Sequence, residues 1–247
     1  MKKPYTNPRR FYRVQHSKRQ GWVTFQVRHK ETDLWIRAQR SLKQEALTCV
    51  LQCRHQLDEY IAARPEFLKS LVPIPDDLTA PPPARRMIEA ARAAGVGPMA
   101  GVAGAVAEAT ALSLKPLSPG IVVENGGDCY MDLAEETTVG IFAGPHSPFT
   151  GRLGLRFTAD RFPLGICTSS ATVGHSLSLG RADAVTVVSR DVVLADCAAT
   201  ALGNRVKTSA DLEKTLEEAA EIASIEGVLI LIKDRMAVWG DLELLPL

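Results

Sequence analysis

The first part of the chain alternates apolar and polar residues in three short segments. Residues 10–14, 22–28 and 34–38 follow the period of two that is typical of half-buried β-strands, with turn residues between them. We expect Trp22 and Trp35 to pack in the core or against the face of this small sheet.

A helical spacing of apolar residues follows, from Leu42 to about Ala63. Ser41 and Gln44 have the spacing of a capping box, which predicts the start of this helix. Pro65 is expected to end it, because proline lacks the N–H that a helix interior needs.

A proline-rich stretch then divides the chain. We predict a connector at residues 73–83 between N-terminal strands with a long helix, residues 1–72, and a larger body, residues 84–247, with the whole forming one compact unit. The pattern in the body predicts helices at 85–94, 98–112, 191–202 and 209–223, and strands at 121–124, 129–133, 138–143, 154–158, 164–168, 184–188, 228–233, 235–239 and 242–244.

Composition excludes several classes of protein. The net charge of +1 over 247 residues does not favour a nucleic-acid-binding protein. The first twenty residues carry seven Lys or Arg and no acid, which we interpret as a solvated arm, the alternative being an arm for nucleic acid or anionic lipid. The most apolar stretch, residues 96–112, is too short and too interrupted to span a bilayer. The five cysteines form no disulfide framework, so a cytoplasmic protein with reduced thiols is expected.

The strongest candidate for metal binding is Asp196 with Thr200. Four residues apart on a predicted helix, they share one face. A carboxylate and a hydroxyl are hard oxygen ligands, and Mg²⁺ completes its shell with water and phosphate oxygens. The alternative is that Asp196 caps or pairs locally and Thr200 bonds to the preceding turn.

Two polar loops are candidates for ligand binding. The first is a turn between strands, and the alternative is a plain hairpin turn. The second follows a strand, and its backbone N–H groups form a possible anion nest; its histidine is a candidate base, or else a plain loop residue. The residues of the two loops are Glu124, Asn125, Gly126, Gly127 and Asp128, and Cys167, Thr168, Ser169, Ser170, His175 and Ser176.

Three cysteines, Cys129, Cys167 and Cys197, lie inside these motifs. If the motifs converge in space, the thiols converge with them, which permits a sulfur-handling or redox role. The alternative is that they are small buried packing residues.

Several of these motifs together resemble the uncharacterised ApbE-like proteins of bacteria and archaea, over nearly the whole chain. The segments that carry the resemblance are residues 30–36, 64–67, 95–100, 124–128, 167–170, 173–185 and 195–200. Better-known relatives of that family are the ApbE flavin transferases, which move FMN from FAD onto a protein threonine with Mg²⁺. The resemblance implies an α+β fold of mostly antiparallel sheets flanked by helices, and it places Asp196 and Thr200 on the relatives' metal motif.

The chain departs from the flavin transferases at three places. Gly97, Pro98 and Met99 replace an Ala-Lys-Gly segment, the N-terminal flavin-contacting segment has no counterpart in the basic arm, and the loop at 167–176 differs. An inherited metal site is therefore better supported than inherited flavin transfer.

Two functions compete on these observations. In the first, Asp196 and Thr200 hold Mg²⁺ on the diphosphate of FAD, FMN or another small molecule, the Gly97 turn and the 168–170 loop bind phosphate, and His175 or Asp183 supplies acid–base help. In the second, the protein handles sulfur in sulfur assimilation through its motif cysteines, or binds a metabolite without turnover. Exposed strand edges make a homodimer an open expectation.

Overall fold

The computed structural model describes residues 21–174 and 178–247, so the strand predicted at residues 10–14 lies outside the described residues. The helices are α1 (Lys43–Ala63), α2 (Pro65–Lys69), α3 (Pro82–Ala94), α4 (Val102–Leu114), α5 (Val192–Arg205) and α6 (Leu212–Ala220). The strands are β1 (Val23–His29), β2 (Thr32–Ala38), β3 (Ile121–Asn125), β4 (Asp128–Asp132), β5 (Thr137–Gly140), β6 (Leu153–Phe157), β7 (Leu164–Ser169), β8 (Ala184–Ser189), β9 (Ile225–Ile232), β10 (Arg235–Gly240) and β11 (Glu243–Pro246).

The strands form two sheets. The larger has the order β1-β2-β3-β4-β7-β8-β9-β10, and the smaller has the order β11-β6-β5. Every strand pair is antiparallel. The expected α+β architecture of mostly antiparallel sheets flanked by helices is therefore confirmed.

The two faces of the larger sheet belong to two separate cores. Because side chains alternate along a strand, Leu34 and Ile36 of β2 face the helices, and both are fully buried. Trp35, between them, belongs to the core that the larger sheet shares with the smaller one, together with Leu155 and Phe157. The molecule is thus built of helices, a large sheet and a small sheet in three layers.

The start of α1 differs from its prediction, and α5 starts one residue later than predicted. α1 begins at Lys43, and no side chain caps it, so the capping box predicted at Ser41 and Gln44 does not form. α5 is capped by Asp191, whose carboxylate accepts a hydrogen bond from Leu194 N at 3.0 Å.

Pro65 follows the end of α1 as expected, and it also begins α2. It occupies the first position of that short helix, where its missing N–H has no intrahelical partner to lose. A proline that ends one helix can therefore start the next within two residues.

The N-terminal hairpin β1–β2 extends the large sheet through the pairing of β2 with β3, in which Leu34 lies opposite Asn125. The hairpin and the body share one sheet across the proline-rich stretch. The division into 1–72, 73–83 and 84–247 stays a prediction.

Within residues 21–174 and 178–247, no single helix combines the length and apolar composition needed to cross a bilayer. The segments Pro82–Ala94 and Pro98–Leu117 meet those criteria only when taken together, and they are bent by 107° at the break between them.

Candidate functional site

A cleft of about 1280 Å³ lies at the end of the large sheet where two hairpins turn. The antiparallel register places the β1–β2 turn beside the β3–β4 turn, since Leu34 faces Asn125. It also places the end of β7 there, since Cys129 faces Ile166. Residues that are remote in sequence therefore meet at one edge because their strands end there.

The β3–β4 turn in the lining of this cleft consists of Gly126 and Gly127, between the paired residues Asn125 and Asp128. Gly126 has φ +77° and Gly127 has φ +125°. Such angles favour glycine, because a Cβ would clash with the backbone. The turn therefore presents bare backbone to the cleft.

Asp196 of α5 reaches the cleft by capping α4 from outside that helix. Its Oδ2 accepts a hydrogen bond from Gly104 N at 2.7 Å, and the N–H of Ala103 also stabilises its charge. Helix α4 has no side-chain cap of its own, and a carboxylate is favourable at a helix N-terminus. The sequence analysis gave capping or local pairing as the alternative role of Asp196. Asp196 does cap a helix, but the helix is α4 and not its own.

Close packing of α4 on α5 makes this contact possible. A Cβ added at Gly104 would lie 2.9 Å from the Val192 carbonyl oxygen, and one at Gly101 would lie 2.7 Å from Cys197 Sγ. Both glycines therefore let the helices approach until the Asp196 carboxylate meets the α4 backbone.

A second carboxylate, Asp128, lies near Asp196 in the same buried environment. The two side chains are 9% and 7% exposed. Desolvation and the charge of Asp196 raise the pKa of Asp128 well above its usual range. Desolvation raises the pKa of Asp196 to about 7, against the effect of the Gly104 and Ala103 N–H groups. The protein thus keeps two acids where neither ionises readily.

These residues fit a hard divalent cation. Each of the two carboxylates makes ionisation of the other less favourable, and a cation between them would stabilise the charged form of both. Thr200 lines the same cleft and adds a hydroxyl. Mg²⁺ needs only one or two carboxylates when phosphate and water supply its other ligands. In the described parts of the chain, no group of three or more His, Cys, Asp or Glu has the arrangement of a metal site, so an all-protein cage is not the design here.

Residues 168–170, which were expected to form a loop, are the end of β7 and the residue after it; they line the cleft, but some of their polar groups are used within the protein. Thr168 N donates to Asp128 Oδ1 at 3.3 Å. Ser170 Oγ accepts from the N–H groups of Thr172 and Val173 and donates to the Asp183 carbonyl oxygen. The loop therefore orients Asp128 and stabilises its own turn.

On the other face of the sheet, Trp22 and Trp35 line the cleft, which the sequence analysis did not predict. The Arg37 guanidinium carbon lies 5.5 Å from the centre of the Trp22 ring and 5.9 Å from that of Trp35. Both tryptophans also pack in or against the core between the two sheets, as expected. The available signal was the alternation in β2, which places Trp35 and Arg37 on one face.

Most of the predicted site residues meet in the cleft, and four do not. The lining includes Met99, Glu124, Asn125, Gly126, Gly127, Asp128, Thr168, Ser169, Ser170, Asp196 and Thr200. The residues outside the lining are Gly97, Pro98, Cys167 and Asp183. His175 and Ser176 lie outside the described residues.

The residues outside the lining have other contacts. A Cβ on Gly97 would overlap the Ser70 carbonyl oxygen, so this glycine permits close packing of two chain segments. The Asp183 carboxylate accepts a hydrogen bond from Lys233 N at 2.6 Å, at the β9–β10 turn. The roles in phosphate binding and acid–base catalysis expected of Gly97 and Asp183 therefore stay predictions that the geometry of the cleft does not support.

Two of the three motif cysteines are buried away from solvent. Cys167 and Cys197 are fully buried, and desolvation raises the pKa of both thiols well above the usual value. Cys129 lines the cleft. Because the thiolate is the reactive form, the buried pair is suited to packing.

Three comparisons relate the chain to known proteins. A family model described as AbpE bacteria matches residues 13–232. A UPF0280 protein from Methanocaldococcus jannaschii is 37% identical over 227 residues, covering 90% of this chain and 92% of the relative. Another from Methanocella arvoryzae is 41% identical over 222 residues, covering 88% of each chain.

Among solved structures, the apo form of the Pseudomonas stutzeri flavinyl transferase ApbE matches with a TM-score of 0.53 at 14% identity. The match covers 88% of this chain and 93% of that chain. At this identity the likeness concerns the fold.

Proposed function

The chain belongs to the family described as AbpE bacteria, and from that membership we propose that its cleft binds the diphosphate of a flavin nucleotide together with Mg²⁺, as part of an activity related to flavin transfer. The observation that carries the proposal is the pair of buried carboxylates, Asp128 and Asp196, beside a bare Gly126-Gly127 turn in one large cleft. The resemblance of residues 195–200 to the metal motif of the flavin transferases supports the same assignment.

The charges at this end of the cleft determine what enters it. A diphosphate is repelled by two carboxylates unless a cation lies between them, so anion and metal binding are coupled. When bound, Mg²⁺ would neutralise phosphate charge and polarise the bond to the leaving phosphate. Asp128, Asp196 and Thr200 would hold the ion.

The protein's own residues then have distinct tasks. The N-terminus of α4 holds Asp196 through Gly104 N, and Asn125 Nδ2 donates to the Ala103 carbonyl oxygen at 3.1 Å, which ties the β3–β4 turn to the same helix end. The bare turn lets a phosphate approach the backbone closely. The reaction class that fits these residues is nucleophilic attack on a diphosphate.

The experiment is a thermal unfolding series with FAD, FMN, ADP and pyrophosphate, each with and without Mg²⁺. We expect stabilisation that requires both the diphosphate and Mg²⁺; a ligand at one hundred times its Kd contributes about 2.7 kcal/mol. The shift should disappear in Asp196→Ala and persist in Asp234→Ala, a matched control at an exposed turn. A shift that Asp196→Ala retains, or the absence of any shift in the unmodified protein, would overturn the proposal.

The sulfur-handling alternative is not proposed as a second function. It needs an accessible thiolate, whereas Cys167 is fully buried, its Sγ lies 3.5 Å from the Val192 carbonyl oxygen, and its pKa is raised. Cys129 lines the cleft, and its negative charge is one of the causes that raise the pKa of Cys167.

A further inference from the structure

We propose that Asn125 prevents the pair Asp128 and Asp196 from holding a divalent cation by itself, so that the cation enters only together with a diphosphate. This role rests on the proposed function, because it assigns a specificity-determining residue to the same site. Asn125 supplies a neutral amide at a position where a third acid would complete a metal site made of protein alone.

Asn125 lies on the same side of the large sheet as Asp128. The two residues are paired across the Gly126-Gly127 turn, and directly opposite residues share a face, with Cβ atoms about 4.5–5.5 Å apart. Asn125, Asp128 and Asp196 all line the cleft. An acid at position 125 would therefore join the two carboxylates.

The amide of Asn125 is held in one orientation. Its Nδ2 donates to the Ala103 carbonyl oxygen at 3.1 Å, and because a carbonyl only accepts, the amide oxygen cannot take this place. Gly104, the next residue of α4, donates its N–H to Asp196 Oδ2 at 2.7 Å. The same end of α4 thus fixes Asn125 and Asp196. Within residues 21–174 and 178–247, Asn125 Oδ1 forms no hydrogen bond, which leaves a neutral acceptor oxygen beside two acids.

The number of charged ligands decides whether a cation binds without phosphate. The affinity of oxygen sites for hard divalent cations depends on ligand charge, and Mg²⁺ held by one or two carboxylates relies on substrate phosphates for further ligands. Asp128 and Asp196 supply two charges, whereas Thr200 and Asn125 are neutral. The described residues contain no group of three or more His, Cys, Asp or Glu arranged for a metal, and aspartate at position 125 would supply the missing carboxylate.

The remaining acids of the cleft lining do not take this place. Glu124 precedes Asn125 on β3 and therefore points to the opposite face, where its cross-strand neighbour Trp35 belongs to the core between the sheets. Three further acids form ion pairs near the β1–β2 turn, namely Glu31 with Arg54, Asp33 with Arg28 and Asp58 with Lys30. Position 125 is therefore the place where one substitution changes the charge beside the carboxylate pair.

Thermal unfolding and calorimetric titration with Mg²⁺, first alone and then with pyrophosphate, test this role. Asn125→Asp keeps the shape of the side chain and adds one charge. Mg²⁺ alone should stabilise Asn125→Asp and not the unmodified protein, and its Kd for Mg²⁺ alone should be lower by about tenfold or more. The matched control is Asn204→Asp, the same change on α5 but outside the cleft lining. Asn204 Oδ1 accepts from Leu179 N, a bond that aspartate keeps, so this control should respond as the unmodified protein does.

A double variant tests the charge count itself. Asn125→Asp combined with Asp196→Asn returns the number of carboxylates to two, so the response to Mg²⁺ alone should disappear. No response of Asn125→Asp to Mg²⁺ alone overturns the role of Asn125, as does an equal response in Asn204→Asp. If Asn125→Asp does not fold, Asn125→Ala decides, because it removes the amide without adding charge. It should still require Mg²⁺ and pyrophosphate together, and a response to Mg²⁺ alone would overturn the role.

The outcomes also separate this role from the proposed function. The unmodified protein can show no shift with Mg²⁺ and pyrophosphate, while Asn125→Asp responds to Mg²⁺ alone and the double variant does not. In that case Asn125 does keep a cation from the carboxylate pair, and the diphosphate assignment fails.

Discussion

The carboxylate of Asp196 should destabilise the metal-free protein as the pH rises, and Asp196→Asn should remove that effect. The pKa of Asp196 is raised from 3.8 to about 7 in the folded protein, chiefly by burial. The folded state therefore binds a proton that the unfolded state has lost between these values, so stability is greatest at low pH and falls until the pH passes 7. Three pKa units correspond to about 4 kcal/mol in full, at about 1.36 kcal/mol per unit.

Part of this penalty is already present at pH 5, which lies about one unit above the unfolded pKa. The remainder, roughly 2–3 kcal/mol, develops between pH 5 and pH 8.5. Asparagine retains an oxygen that can accept from Gly104 N, so the cap on α4 survives while the charge is lost. Between pH 5 and pH 8.5, the free energy of unfolding of Asp196→Asn should therefore rise by roughly 2–3 kcal/mol relative to that of the unmodified protein.

The assay is urea unfolding with a chelator at pH 5 and pH 8.5, for the unmodified protein, Asp196→Asn and the control Asp234→Asn. The control should follow the unmodified protein at both pH values. Adding Mg²⁺ together with pyrophosphate at pH 8.5 should stabilise the unmodified protein and leave Asp196→Asn unaffected. Equal pH dependence in the unmodified protein and Asp196→Asn would refute the assignment of a buried, proton-retaining carboxylate.

Three further predictions concern packing and thiols. Gly97→Ala should lower the free energy of unfolding by about 2 kcal/mol or more, because its Cβ would overlap the Ser70 carbonyl oxygen; urea unfolding measures this, and an unchanged midpoint would contradict it. Gly104→Ala should be destabilising by about 1–2 kcal/mol despite the higher helix propensity of alanine, and should weaken the Mg²⁺-dependent ligand shift; a stabilised variant with an intact shift would refute the helix contact. Iodoacetamide should label Cys129 of the native protein well before Cys167, as followed by mass spectrometry, and a bound flavin nucleotide should protect Cys129. Early labelling of Cys167 would show that its thiol is reactive and would contradict this prediction.

Sequence patterns predict much of this fold because apolar runs and apolar spacings, bounded by Gly, Pro and polar residues, mark most of its elements. The spacing of Asp196 and Thr200 on one predicted helix correctly implies a shared face, and both residues line the cleft. The spacing does not show which group donates a hydrogen bond to Asp196. The contact with Gly104 N joins residues 92 positions apart, and it exists because two glycines let α4 approach α5, which depends on how the helices pack.

The presence of Trp35 and Arg37 in the cleft lining could not be predicted for a different reason. The alternation in β2 shows that these two residues share a face, but it does not show how far another layer covers that face. Trp35 is buried in the core between the two sheets, and it also lines the cleft. An amphipathic pattern identifies the face that packs, whereas the extent of the covering layer is a property of the tertiary structure.

The cleft contains different side chains on the two faces of the large sheet, at the end where the strands turn. Asp128 and Trp35 point to opposite faces of the large sheet, because Asp128 alternates with Cys129 and Trp35 with Ile36. A ligand that touches both must pass around the strand ends. A side chain at the turn would block that path, and Gly126-Gly127 has none. A metal-bound diphosphate of the kind proposed above would use the carboxylate pair and the bare turn together.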